Sequence, residues 1–217
     1  MEELPVLELA PIFLAVQNVM QEYRLVYNQA DSFNGNHGDH MVEIFAVAVQ
    51  AAHEKQPEGL AEAMDYAGKL LQSLPDNGSA QVYARGLAQL GEQFRKYGIT
   101  LEELVPNFRS VLMDEKEPAG TKSRSGDILK ALVSALAGWQ QSESGQDKPA
   151  RPLDLGTMFD LGIAYMQAKQ RGGSRAEVIA DAAATVSPLS QVPHRRQSGK
   201  AAILALLQAM ASKNFQV

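Results

Sequence analysis

The chain has 217 residues, a formal net charge of −5 and no cysteine. A chain of this length buries one sizeable core, so we expect a single domain over residues 1–217. The absence of cysteine excludes a disulfide framework and a thiolate metal site, which suits a reducing cytoplasm. Lysine and arginine form no stripe of the kind that binds nucleic acid, and no apolar run reaches the roughly 18 residues of a membrane span. We therefore expect a cytoplasmic protein with no nucleic-acid partner and no membrane segment.

Apolar residues recur at three- and four-residue steps along almost the whole chain, which indicates helices. The first stripe begins at Pro11, a residue suited to a first helical turn, and its continuity through Tyr27 predicts one long amphipathic helix. After a polar stretch the pattern resumes, and a second helix is predicted to begin at about Asp39 or His40.

Start signals divide the rest of the chain. Pro57 predicts the start of a third helix, and Ser79 predicts an N-cap for a fourth. Ser174 and Glu177 have the spacing of a capping box, and the range 187–198 is expected to be a basic loop. No β-branched run alternates at period two, so no sheet is expected. The prediction is an all-α fold, an antiparallel bundle of eight or nine helices joined mostly by short loops.

The polar stretch from Asp31 to His40 is the first candidate site. It reads DSFNGNHGDH and holds two of the four histidines beside two aspartates. Its glycines permit tight turns, and its oxygen and nitrogen donors are able to surround a cation. The next helix directs unpaired N–H groups, and about half a positive charge, back at this loop, which favours an anion.

A second polar turn, Asn77-Gly78-Ser79, precedes the predicted fourth helix. Alternate connections of an antiparallel bundle share one end, so we expect this turn beside the first loop. Together they predict an anion-plus-metal site at the mouth of the bundle, with carboxylates for the cation and N–H groups plus a serine for phosphates. The structural alternative is that Ser79 and the aspartates are only caps and the histidines are exposed loop residues.

Both segments resemble motifs of the nucleotide-binding L subunit of dihydroxyacetone (glycerone) kinase, the DhaL-like or Dak2-type family, which includes the N-terminal domain of bacterial fatty-acid kinase. Residues 31–33 lie over Asn-Val-Phe of the first family motif, residues 37–39 over Asp-Gly-Asp, and His40 over the Thr or His that follows. Residues 76–83 lie over Gly-Gly-Ala-Ser-Gly-Pro-Leu-Tyr and keep its serine and tyrosine.

The resemblance covers most of the chain but weakens toward its end. Residues 124–132 match the apolar half of the third motif only. The fourth motif falls near residues 183–187 and 197–200, where its arginine and aspartate are absent. Arg195 and Arg196 are the candidates to contact a phosphate in place of that arginine. The pattern indicates a diverged member of the family.

The resemblance implies a helical barrel that binds ADP or ATP at its mouth, with magnesium bridging the phosphates. The residues it assigns are Asn77, Gly78, Ser79 and His40 for the nucleotide, and Asp31, His37 and Asp39 for the metal. Because His37 stands where the family has aspartate, the site loses a negative charge and becomes softer, so manganese or zinc is an alternative to magnesium.

The implied function is that of a phosphotransferase subunit, a kinase of the dihydroxyacetone-kinase type whose catalysis is either retained or impaired. Such a subunit works with a separate substrate-binding subunit and a phosphoryl-donor protein, and a homodimer is compatible with it. Two alternatives remain open. One is a non-catalytic helical scaffold that binds a partner, and the other is a metal-binding helical protein without nucleotide.

Overall fold

The computed structural model describes residues 8–113 and 155–212. Within these ranges the chain forms nine α-helices and two short 3-10 segments, and it contains no strand, so the predicted all-α class is confirmed. The helices are α1 (Leu9–Glu22), α2 (Arg24–Ala30), α3 (His37–Lys55), α4 (Leu60–Gln72), α5 (Gly78–Tyr97), α6 (Leu101–Met113), α7 (Leu155–Arg171), α8 (Arg175–Val186) and α9 (Pro193–Ala211). The third family motif at residues 124–132 lies outside the described residues.

Neighbouring helices run in opposite directions. At one end of the molecule, a cleft of about 340 Å³ collects Leu9 at the start of α1, Leu60 at the start of α4 and Gly98 just after α5. At the other end, the side chain of Asn77 before α5 contacts the main chain of His40 in the first turn of α3. α3 and α5 both begin at this second end, whereas α4 begins at the first. α4 follows α3 and precedes α5 in the chain, packs against both, and runs antiparallel to them.

The core is built by the apolar faces of these helices. The largest fully buried apolar side chains are Ile12, Val16, Met20, Met41, Ile44 and Leu71. Each contributes about 1.5–3 kcal/mol relative to an exposed position. Burial along α1, α3 and α4 follows the predicted stripes, so helical periodicity accounts for how these three elements face the core.

The first predicted helix is not continuous. α1 ends at Glu22, Tyr23 leaves helical geometry with ψ near 7°, and α2 starts at Arg24. Beyond the break Tyr27 is buried, whereas Tyr23 and Val26 are exposed. The apolar stripe therefore predicts more burial at its C-terminal end than the structure shows. After the break, polar side chains of α2 form hydrogen bonds with the start of α3.

Two predicted helix starts are corrected. Pro57 lies in a 3-10 turn, and α4 begins at Leu60, after Gly59 adopts a φ of 108° that favours glycine. Ser79 does not cap α5. The cap is Asn77, whose Oδ1 accepts the Ala80 N–H at 2.8 Å, so Ser79 lies inside the first turn and is buried.

The predicted basic loop at residues 187–198 is also wrong over most of its length. Pro193 is the first residue of α9, so His194, Arg195 and Arg196 belong to the first turn of a 19-residue helix. Proline is favoured at this position because its missing N–H would have no helical partner. The predicted capping box before α8 is confirmed, with Ser174 Oγ accepting the Glu177 N–H and the Glu177 carboxylate accepting the Ser174 N–H.

Within residues 8–113 and 155–212, no helix combines the length and apolar character that crossing a membrane requires.

Candidate functional site

Three helix N-termini meet at one end of the molecule. His37 begins α3, and its Nδ1 lies 3.4 Å from Oγ of Ser79 in the first turn of α5. Its Nε2 lies 2.8 Å from Oγ of Ser198, which belongs to the second turn of α9. The first loop and the Asn77–Ser79 turn are therefore neighbours, as the antiparallel arrangement predicted, and α9 completes the same cluster.

Asn77 joins α5 to α3. While its Oδ1 caps α5, its Nδ2 donates to the main-chain oxygen of His40 at 3.1 Å and to Glu43 Oε2 at 2.8 Å. The side chain is almost fully buried, so each of these bonds forms where water does not compete freely. Of the predicted nucleotide-binding residues, Asn77 thus serves the fold, and His40 contributes its carbonyl to the same contact.

The hydrogen bonds around His37 define its protonation. Ser198 Oγ lies 3.1 Å from the main-chain oxygen of Arg195 and 2.8 Å from His37 Nε2. When Ser198 donates to Arg195, His37 Nε2 carries the proton and donates to Ser198, and Nδ1 is an acceptor that faces the Ser79 hydroxyl. A neutral imidazole satisfies both contacts. Burial, with the nearby charges of His194 and Arg195, lowers the pKa of His37 to about 4.

A second buried histidine faces the first. The rings of His37 and His194 are 4.8 Å apart between centroids, and His194 Nε2 lies 3.8 Å from Asp31 Oδ1. Burial lowers the pKa of His194, partly opposed by Asp31. Burial by itself would raise the pKa of Asp31, but the Phe33 N–H, which donates to its Oδ1 at 3.0 Å, and His194 together bring that pKa below its usual value.

Asp39 points to different partners. Its Oδ1 accepts from Arg24 Nη1 and its Oδ2 from Asn28 Nδ2, both at 2.8 Å. Hydrogen bonds from Asn28 and Arg24 lower the pKa of this carboxyl. Asn28 Oδ1 also accepts the N–H groups of Gly38 and Asp39 at 2.7 and 3.2 Å. The anion position expected at the start of α3 is thus filled by an amide oxygen of the chain itself.

These contacts do not fit the predicted metal site. Asp31 faces His194, Asp39 faces α2, and both nitrogens of His37 face serine hydroxyls. Among the residues that the structure describes, no three histidine, aspartate or glutamate side chains are grouped closely enough to hold a metal ion. Magnesium prefers several oxygen ligands around one point, and the first loop does not gather them.

Nor does the cluster form a nucleophilic triad. A Ser–His–Asp relay needs a carboxylate on the imidazole nitrogen opposite the nucleophile, and here both nitrogens of His37 face serines. Ser79 and Ser198 are also buried, so neither hydroxyl meets a substrate. The chemistry of the cluster is that of a closed hydrogen-bond network joining α3, α5 and α9.

The two arginines of α9 differ in their engagement. Arg196 Nη2 donates to Thr185 Oγ1 at 2.9 Å and lies 3.7 Å from Asp181, which ties it to α8. Arg195 lies against the turn before α5, because a Cβ built on Gly78 would stand 3.8 Å from its Nη2. Its Nε is buried and has no hydrogen-bond partner within the described ranges. Arg195 is therefore a cation that lies beside the first residue of α5.

Sequence reasoning missed His194, Ser198 and Asn28. Pro193 is a helix-start signal that, correctly interpreted, places His194 and Ser198 on one face of α9, four residues apart. Asn28 gives no comparable signal, since nothing in its own segment indicates that it covers the start of a later helix.

No family model matches the chain, and comparisons with curated proteins and with solved structures found no match. The resemblance to the kinase L subunit is accordingly carried by the short motifs alone.

Proposed function

We propose that this chain is the nucleotide-binding subunit of a phosphotransferase resembling the L subunit of dihydroxyacetone kinase, and that it binds the phosphates of ADP or ATP between the first turns of α5 and α9. In this proposal the phosphates contact the main-chain N–H groups of Gly78 and Ser79 and the guanidinium of Arg195. The described helices would belong to a helical barrel whose mouth is this end.

The proposal rests on one observation, the proximity of the Arg195 guanidinium to Gly78. The first N–H groups of a helix have no acceptor within it and attract anions. Gly78 is exposed and has no side chain, so an anion can approach the backbone closely. Arg195 brings a permanent charge to the same place, with its Nη2 3.8 Å from the position that a Gly78 Cβ would take. The Ser79 hydroxyl is directed at His37, so Ser79 contributes its N–H only.

The proposal assigns no metal ligand to the chain. The carboxylates of Asp31 and Asp39 already have partners, and replacing the ordered bonds of Asp39 with a cation would leave Arg24 and Asn28 unpaired. This divergence from the family favours a subunit with impaired catalysis. The acceptor substrate would be held by a separate subunit, as the resemblance implies.

Calorimetric titration of the full chain with ADP, with and without magnesium, tests the proposal. We expect saturable binding that Arg195→Ala weakens about tenfold, the effect of losing one charge-assisted contact. Lys96→Ala is the matched control, because Lys96 is an exposed cation at the far end of α5, with its Nζ 5.4 Å from the centre of the Tyr97 ring. Absence of ADP binding in the wild-type chain, or equal effects of the two variants, would refute the proposed site.

Asp39→Asn separates this proposal from a metal-bridged site. The amide keeps the shape of the side chain and one of its two acceptor oxygens, so it loses one of the exposed contacts with Arg24 and Asn28. If Asp39 binds no metal, ADP affinity should change by less than about twofold. Loss of a magnesium-dependent component of binding in Asp39→Asn would instead assign Asp39 to a metal.

A second candidate function is partner binding without catalysis. Exposed apolar side chains accompany α2 beside the first loop, with Leu25 at 61% and Val26 at 54% exposure. Such a group favours a protein contact, of which a second copy of this chain is the simplest. Sedimentation at increasing concentration tests it. A dimer that Leu25→Glu dissociates would support this function, and a monomer throughout would exclude self-association at this surface.

A further inference from the structure

Phe33 in the first loop exposes a large apolar side chain to solvent. Its side chain is 81% exposed, more than any other large apolar side chain that the structure describes. Leaving a ring of this size in water forgoes most of the stabilisation that burying it would provide. Its backbone, however, is ordered by the bond from its N–H to Asp31 Oδ1, a local turn that holds the residue in place.

Phe33 lies beside the proposed phosphate site. Its ring meets the ring of His194 edge-on, with centroids 6.2 Å apart. The next residue of α9, Arg195, lies against Gly78. The aromatic ring and the phosphate-binding turn therefore lie beside consecutive residues of the first turn of α9.

We propose that Phe33 is the platform on which the aromatic base of the nucleotide stacks, so that the loop at residues 31–36 selects nucleotides over simple phosphates. This inference rests on the proposed function, because it takes the phosphate site as given. An exposed aromatic ring beside the same helical turn as an anion site suits a ligand with a flat ring joined to a phosphate chain by a sugar. Asn34 and Asn36 follow Phe33 in the loop and carry the amide groups that pair with base edges.

The experiment compares ADP with inorganic pyrophosphate, which shares the phosphates and lacks the base. Both are titrated calorimetrically into the wild-type chain, Phe33→Ala, Phe33→Tyr and Leu14→Ala. We expect Phe33→Ala to raise the Kd of ADP at least about fivefold and to leave that of pyrophosphate unchanged, the range expected for loss of one stacked ring. Phe33→Tyr keeps the ring and should bind ADP within about twofold of wild type.

Leu14→Ala is the matched control, since it removes another exposed apolar side chain, on α1, to which no binding role is assigned. It should leave both ligands unaffected. Circular dichroism melting of each variant checks that the helices are retained.

The outcomes are distinct. If ADP and pyrophosphate both bind and Phe33→Ala changes neither, the stacking role is wrong while the phosphate site stands. If Phe33→Ala weakens both ligands equally, Phe33 acts on the loop rather than on the base, and the inference is overturned. If neither ligand binds the wild type, the proposed function fails, and the inference fails with it.

Discussion

Asn77 offers the sharpest test of how the site is joined to the fold. Asn77→Asp exchanges one strong N-cap residue for another, so helix capping alone predicts almost no change in stability. The structure predicts otherwise. The Nδ2 group donates to the His40 carbonyl and to Glu43, and a carboxylate oxygen in its place can donate to neither.

The magnitude follows from those two bonds. Loss of the donor removes the part-buried hydrogen bonds to the His40 carbonyl and to Glu43, which costs about 1–3 kcal/mol, and places a new carboxylate beside that of Glu43. We expect Asn77→Asp to lower the free energy of unfolding by about 3 kcal/mol. Asn77→Ala should lose a similar amount, about 1 kcal/mol of it from the cap.

Urea denaturation at pH 7, followed by circular dichroism, measures these values. Ser174→Asp and Ser174→Ala at the start of α8 are the matched controls. The Ser174 side chain caps α8 by accepting the Glu177 N–H of that same helix. There Asp should be neutral and Ala should cost about 1 kcal/mol. A destabilisation below about 1 kcal/mol for Asn77→Asp would refute the linking role of its amide.

Three further predictions concern the same end of the molecule. Folding lowers the pKa of His37 from 6.5 to about 4, so the unfolded chain takes up a proton before the folded chain does as the pH falls. The free energy of unfolding should therefore be unaffected by this group above pH 6.5 and should decrease as the pH falls toward 4, by up to about 3 kcal/mol. Urea titrations at several pH values should show this decrease, and His37→Gln should reduce it. Asn28→Ala should destabilise by about 2 kcal/mol through loss of its bonds to the start of α3, whereas Arg24→Ala removes only an exposed ion pair and should cost about 0.5 kcal/mol; equal losses would contradict this ranking. Gly38→Ala should melt at a markedly lower temperature, because its Cβ would collide with the Arg24 carbonyl, whereas Gly162→Ala meets open space within α7 and should stabilise by about 0.5–1 kcal/mol.

Local sequence patterns predicted the helices well and their ends less well. Burial at three- and four-residue steps is a property of one segment, so α3 and α4 were anticipated from their own residues. The break at Tyr23 was not, because it depends on what α2 meets across the loop. At α9 a local signal existed in Pro193 but was outweighed by the polar residues that follow it.

The site illustrates the same limit. The antiparallel order of the predicted helices placed the first loop and the turn before α5 at the same end of the bundle, and the two segments are neighbours. Whether a carboxylate binds a cation depends on what else reaches it, and Asp39 is reached by Arg24 and Asn28 of the preceding helix. Alanine at both position 24 and position 28 would have left the same loop motif with its Asp39 carboxylate lacking these two partners, so the motif alone does not determine the chemistry.

The bond between His37 and Ser198 joins positions 161 residues apart in the chain. During synthesis the segments containing α3 and α5 leave the ribosome well before α9 does, so until then His37 and Ser79 lack the packing and hydrogen bonding that α9 provides. Contacts this distant in sequence are slow to form and should be among the last to be made. The proposed phosphate site would therefore be complete only after α9 has formed, and a nascent chain halted before position 193 should form most of the described helices without it.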